Sequence, residues 1–413
     1  MTPEEARVVL AARNPALRAV LRPIAEDGGP GPLSGVPYTL KDVWRVAGAP
    51  TTYGSASPAA DEPHSGPVHA AFRDAGAVLV GKTNLSDRGL TPECRSLVGG
   101  VTVHPEDATR TPGGSSGGAA VAVATGMSAF DWGSDFGGSI RLPAAFCGVY
   151  GMRLSHRAYP PPSGFVSGPP LLEELMGMGP IAANLDMLRR VLDVARPLLG
   201  SAVGSAVGSA PALPAFRGLL MLAPDRFSRG HWAGFENTAT AALRRAGLDV
   251  APAPLPPPRI WDDAFVALIA SHRHHLVHPP VTATDVLSSL AGRSRALHPD
   301  SARVLFELAL LATLHDRERA LQEAIRLRAR VDALFDSGFL LVTPTSTFPA
   351  PRHGTALRTK GLASFVKLGN LADATALSVP YGRFAEGLPR GLQLLGPPGS
   401  EARLMDLAER LTA

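Results

Sequence analysis

Two glycine-rich turns deliver serines between Arg110 and Gly151. The first reads Gly113-Gly114-Ser115-Ser116-Gly117-Gly118 and the second Gly137-Gly138-Ser139, with an apolar run between them. Glycine is tolerated where φ is positive or where a ligand must approach the main chain. The run Asp135-Phe136-Gly137-Gly138-Ser139-Ile140-Arg141 offers successive N–H groups leading into an expected helix N-terminus. Such groups can converge on an anion. A serine at the end of that run stands next to its own oxyanion donors, which makes Ser139 a candidate nucleophile. The turn alone supports a serine helix cap equally well.

A serine hydroxyl needs a base, and histidine is the usual one. The twelve histidines supply no matching motif. His156 is nearest to Ser139 in a downstream polar stretch that reads as loop. His272, His274, His275 and His278 cluster, but a helix would spread that spacing over several faces, and no carboxylate motif accompanies it. A solvated helix end accounts for them better than a metal-ligand set. Cys94 and Cys147 make no disulfide framework and read as small buried hydrophobes.

Lysine is the remaining candidate base. The chain has only four, Lys41, Lys82, Lys360 and Lys367, among 40 basic residues. Arginine keeps its proton in a protein, whereas a buried lysine can lose it. Lys41 ends the apolar stretch Val36-Pro37-Tyr38-Thr39-Leu40, where desolvation would pull its pKa down from ~10.4. Lys82, in Val80-Gly81-Lys82-Thr83-Asn84, is the rival. Pairing of Lys41 with Asp42 is the purely structural alternative, and composition separates none of these.

The elements that would position these groups alternate. Thr2-Pro3-Glu4-Glu5 marks a helix start, and a second short helix is expected after Asn14-Pro15. Strands are expected over 36–41, 77–80, 128–132, 219–222, 339–343 and 391–395. Helices are expected over 68–75, 116–125, 140–146, 185–199, 232–246, 262–276 and 400–411, with one long helical pattern over 301–335. Residues 159–170 read as a loop, 200–210 as a low-complexity surface connection, and 252–258 as a Pro-rich link. Alternating strand and helix signals argue for a layered α/β fold.

Composition bounds the class. Of 413 residues, 45% are hydrophobic and 18% charged, which suits a globular chain with a large core. A net charge of +4 is too small to suggest a nucleic-acid surface. No apolar run reaches the ~18 residues of a membrane span. The opening MTPEEARVVL has acids where a signal peptide has bases, so a cytoplasmic location is expected.

Several blocks together resemble one family, the amidase signature enzymes, which are Ser-cisSer-Lys serine hydrolases. Gly35-Val36-Pro37 through Lys41-Asp42 resembles its lysine block, and Val78 through Asn84 the strand and turn that follow. Thr109 through Gly118 and Gly133-Ser134-Asp135 through Ala144 resemble the signature itself. Ser378-Val379-Pro380 and Gly387 through Gly396 resemble its closing strands. The likeness is strong over about residues 30–155, good over 335–411 and thin over 155–335.

The resemblance implies an α/β/α fold: a large mixed, mostly parallel central sheet covered on both faces by helices. It implies a single domain, 1–413, with a divergent helical substrate-pocket region at about 155–335. Ser139 would be the nucleophile, Ser115 the bridging acid/base after a cis bond from Gly114, and Lys41 the general base in preference to Lys82. The oxyanion donors would be Phe136, Gly137, Gly138 and Ser139. Asp135 and Arg141 would hold the turn, and Ser116 would bond Lys41 or the turn. No metal or organic cofactor is implied.

The expected activity is hydrolysis of a small carboxylic amide with an apolar or aromatic acyl group, bound by 155–180, 260–310 and 345–375. The expected partner is that amide, with neither nucleic acid nor membrane, and a homodimer is left open. Phe136 stands where many members have threonine, Arg153-Leu154 where they have Lys-Pro, and Val103-His104-Pro105 where they often have Asn-Asn-Pro. The N-terminal helical region is also shorter. The alternatives are the amidase subunit of a tRNA-dependent amidotransferase, an esterase or acyl-transfer enzyme of the same family, and a non-catalytic anion binder. A P-loop form of the last fails because no GK[ST] follows the glycines.

Overall fold

A computed structural model describes residues 1–56, 62–161, 169–202, 213–222, 231, 235–272, 281–294, 296–314 and 316–412. The strands are β1 (Val20–Pro23), β2 (Pro37–Lys41), β3 (Val78–Thr83), β4 (Arg95–Ser96), β5 (Gly100–Val101), β6 (Phe130–Asp135), β7 (Tyr150–Arg153), β8 (Gly177–Ala182), β9 (Gly218–Met221), β10 (Val250–Pro252), β11 (Phe339–Pro344), β12 (Thr375–Arg383) and β13 (Pro389–Gly396). Eleven of them form one sheet in the order β1-β3-β2-β6-β8-β7-β12-β13-β11-β9-β10, while β4 and β5 pair alone.

The sheet is mixed, but the expectation of mostly parallel pairing is corrected. Only β2–β3, β2–β6, β9–β11 and β9–β10 are parallel. The six other neighbour pairs are antiparallel. Antiparallel neighbours need only a short return. The β12–β13 hairpin turns within residues 384–388, closed by the Phe384 N–H on the Leu388 carbonyl at 2.9 Å. Crossover helices separate the parallel strands at the two ends, and those are the stretches where alternation is visible in the sequence.

Side chains alternate across the sheet and split its core in two. Phe130, Trp132, Leu377, Val379, Leu340 and Val342 face the helices Pro67–Asp74, Leu185–Ala202, Phe235–Arg245 and Glu401–Thr412. Their neighbours Leu341, Ala376 and Ile181 face the other way. There the cover is Gly117–Ala124, Arg141–Cys147, Pro258–Ser271, Arg317–Asp336 and Ser364–Leu371.

Some local expectations change. Thr2 caps the first helix as expected, in a capping box with Glu5. That helix runs from Pro3 to Leu17 with Pro15 inside it, so no second helix starts at Asn14-Pro15. Asn14 instead ties the helix end to β1, accepting from the Val20 N–H at 2.8 Å. The long pattern over 301–335 is two helices, Pro299–Leu314 and Arg317–Asp336, the second capped by Asp316. The thinly matched stretch contributes β8, β9 and β10 to the same sheet. Most of the 159–170 loop and of the 200–210 connection lies outside the described residues.

Candidate active site

Strand β2 is buried along its whole length and ends in Lys41. Tyr38 and Leu40 join the core on one face, so period-two alternation sends Lys41 to the other face. Its Nζ makes three short contacts. Ser115 Oγ lies at 2.7 Å, Ser134 Oγ at 2.9 Å and the Ser134 carbonyl at 3.3 Å. Burial removes water from the ammonium and lowers its pKa to about 7, while the charges of Asp135 and Asp131 oppose the fall. Sequence reasoning assigned nothing to Ser134. Only the β2–β6 pairing brings it to Lys41.

The first glycine turn holds Ser115 over this lysine. The Gly114–Ser115 peptide bond is cis. The Ser115 carbonyl accepts from the Ser86 N–H at 3.2 Å. The Ser116 N–H donates to the Ser139 carbonyl at 3.1 Å and ties the two turns together. Of the two bonds expected for Ser116, to Lys41 or to the turn, its main chain makes the second, while its hydroxyl has no hydrogen-bond partner among the described residues.

The second turn is built around a buried carboxylate. Asp135 accepts from the N–H groups of Gly138 at 2.8 Å and Ile140 at 3.1 Å. It also accepts from Arg141 Nε at 3.0 Å and Nη2 at 2.8 Å. Arg141 continues to Gln393 Oε1 at 2.7 Å, Asn370 Oδ1 at 2.7 Å and the Val366 carbonyl at 2.8 Å. Burial alone would raise the Asp135 pKa. The charge and hydrogen bonds of Arg141, with Arg153 and Asn370, outweigh it and hold the carboxyl well below the usual range.

The position of Gly138 demands glycine. Its φ is +104°, and a Cβ there would stand 2.2 Å from Val366 Cγ2. Its N–H is occupied by Asp135, so Gly138 leaves the expected set of four oxyanion donors. The N–H groups of Phe136, Gly137 and Ser139 have no hydrogen-bond partner among the described residues. Ser139 itself is half-buried and borders the cavity.

The rival groups are engaged elsewhere. Lys82 Nζ lies 2.7 Å from Asp42 Oδ1 and 2.9 Å from Thr51 Oγ1, with both charges buried. His156 bonds the Met176 carbonyl at 3.1 Å, and His272 bonds the Leu268 carbonyl at 2.9 Å. His274, His275 and His278 lie outside the described residues. Cys94 and Cys147 are free, buried thiols, and burial pushes Cys94 up to about 11. Among the described residues, no group of three or more His, Cys, Asp or Glu side chains could hold a metal.

A cavity of about 410 Å³ opens over these groups and is bordered by Lys41, Ser115, Ser134, Phe136, Gly137 and Ser139. Leu142, Met176, Phe265, Ile269, Val304 and Leu308 give it an apolar wall. These come largely from the stretches expected to form the pocket. Residues 88–92 and most of 356–363 also border it, the first of these unforeseen. Phe136 meets Phe265 edge to face, with centroids 6.1 Å apart, so its ring shapes the pocket.

Known proteins share this arrangement of chain. The Amidase family profile matches residues 12–198 and 230–405. A glutamyl-tRNA(Gln) amidotransferase subunit of Deinococcus radiodurans is 33% identical over 414 residues, covering 92% of this chain and 84% of that protein. The X-ray structure of a peptide amidase from Stenotrophomonas maltophilia superposes with a TM-score of 0.76 at 26% identity, over 99% of this chain and 92% of that one. The crystal structure of the corresponding glutamyl-tRNA(Gln) amidotransferase subunit from Thermotoga maritima gives a TM-score of 0.81 at 21% identity, over 99% and 90% of the two chains, a likeness of fold.

Proposed function

The chain belongs to the amidase family, the amidase signature enzymes, and on that premise we propose that it hydrolyses a small carboxylic amide through an acyl-enzyme on Ser139. The observation that carries this is the 2.7 Å contact between Lys41 Nζ and Ser115 Oγ beside Ser139, with Lys41 buried until its pKa falls to about 7. A neutral amine has two N–H donors and one lone pair. The Ser134 hydroxyl and carbonyl take the two donors, which turns the lone pair of Lys41 toward the Ser115 hydroxyl.

Each step then moves a proton along that line. Lys41 takes the Ser115 proton as Ser115 takes the Ser139 proton, and Ser139 Oγ attacks the amide carbon. The oxyanion meets the unoccupied N–H groups of Phe136, Gly137 and Ser139, where one donor is worth ~10²–10³ in kcat. Asp135 and Arg141 keep those donors in place before substrate arrives, so no reorganisation is needed at the moment of reaction. Ser115 passes its proton to the leaving nitrogen and takes one back from Lys41 Nζ, so the amine departs and Lys41 is neutral again. Water then cleaves the Ser139 ester by the same relay and releases the carboxylic acid. Release of ammonia or amine from a panel of amides, lost in both Ser139→Ala and Lys41→Met, is the test. Unchanged turnover in either variant would refute the assignment.

A second reading, the amidase component of an amidotransferase, is favoured by the 33% identity to a protein of that name. It requires a glutaminase reaction and a partner protein. Glutamine hydrolysis that rises on addition of a copurifying protein would select it.

A further inference from the structure

The charged residues bordering the cavity are all of one sign. They are Lys41, Arg88, Lys360 and Lys367, with no aspartate or glutamate among the bordering residues. Three of the four lysines in the chain stand there. Arginine is nine times as common in this chain as lysine, so this is not the background basicity of the surface.

These cations have different occupations. Lys41 faces Ser115 and Ser134. Lys367 pairs with Asp262 at 2.8 Å and lies 5.6 Å from the centre of the Phe265 ring. Arg88 donates through Nη2 to Ser55 Oγ at 3.0 Å and to the Ala296 carbonyl at 3.2 Å. Lys360, in the turn before the helix Ser364–Leu371, has no hydrogen bond or ion pair among the described residues. It is an exposed primary ammonium at the edge of a chamber whose inner wall is largely apolar, with no carboxylate paired to it among the described residues.

Resting on the amidase reading, we propose that the substrate is an amide whose apolar acyl chain ends in a carboxylate, and that Lys360 receives that carboxylate. The amide end sits at Ser139, the chain lies along Phe265, Ile269 and Leu308, and the anion emerges at the Lys360 side. An anion there meets the Lys360 ammonium with the Arg88 guanidinium on the same border, while Lys367 is already paired with Asp262 and Lys41 is neutral in its working form. Lys360 is exposed, so the contact forms at the solvent-facing edge of the cavity, where water screens it.

The test uses the full chain and two probes of equal length, adipic acid monoamide and hexanamide, in ligand-observed NMR titrations. The monoamide is expected to bind roughly threefold more tightly, the effect of one exposed ion pair. The preference should disappear in Lys360→Met and largely persist in Lys360→Arg. Equal binding of the two probes, or a full preference surviving Lys360→Met, overturns the proposal. Offering both probes as substrates separates this inference from its premise. A binding preference with no hydrolysis sinks the amidase reading and upholds the anion site. Hydrolysis with no preference does the reverse.

Discussion

Lys82 Nζ lies 2.7 Å from Asp42 Oδ1 inside the protein, while the neighbouring strand directs Lys41 at a serine. Two lysines at strand ends thus have opposite duties. One neutralises a buried carboxylate and the other has only hydroxyl and carbonyl partners. Removing one member of a buried pair leaves an uncompensated charge and costs ~3–5 kcal/mol. Lys82→Met should therefore lower stability in urea by about that amount, while turnover per folded molecule stays within about tenfold. Lys41→Met should fold and lose ~10²–10⁴ in kcat/KM, the usual worth of a general base. A stable, inactive Lys82→Met would exchange the roles.

The pH profile follows from the depressed Lys41 pKa. Only the neutral amine can accept a proton, and the ammonium form prevails below about 7. kcat/KM should therefore fall as pH drops through about 7 and level off above it. A profile flat from pH 5 to 8 would remove Lys41 from the proton path.

Asp131 offers a way to move that limb. It lies opposite Thr39 in the β2–β6 register and accepts from Thr83 Oγ1 at 3.0 Å. Burial raises its own pKa to about 6, and its charge helps Lys41 keep a proton, as does that of Asp135. The helix Gly117–Ala124 against β6 carries no charged residue. Asp131→Asn removes one of the two carboxylates that favour the ammonium, so the acidic limb should shift to lower pH. A limb that stays in place, or shifts upward, contradicts that electrostatic link.

Gly138→Ala tests the construction of the second turn. The new Cβ meets Val366 at 2.2 Å at a φ of +104°, so the turn must move. Overpacking costs ~1–3 kcal/mol, and a displacement of about 1 Å can cost ~10² in rate. The loss should appear chiefly in kcat, because the apolar wall that binds the acyl chain is untouched. A loss confined to KM would mean that the turn serves binding alone.

What the sequence discloses here is local chemistry. Serines inside glycine turns and a lysine in an arginine-rich chain are visible without a fold. So are strands such as 339–343, whose apolar runs are continuous. Long-range pairing is not. Lys41 and Ser115 are 74 positions apart, and Asp135 and Asn370 are 235 apart. Strand β8, Gly-Met-Gly-Pro-Ile-Ala, carries little strand propensity and is formed by pairing with β6 along its whole length. The removal of Gly138 from the oxyanion donors depends on where the Asp135 side chain turns. Spacing alone cannot reveal that.

The most direct measurement of the central claim is covalent labelling by a fluorophosphonate, followed by peptide mass spectrometry. The account predicts one adduct, on Ser139, formed at a rate that drops sharply in Ser115→Ala and Lys41→Met. An adduct on another serine, or none on protein that turns over an amide, would contradict it.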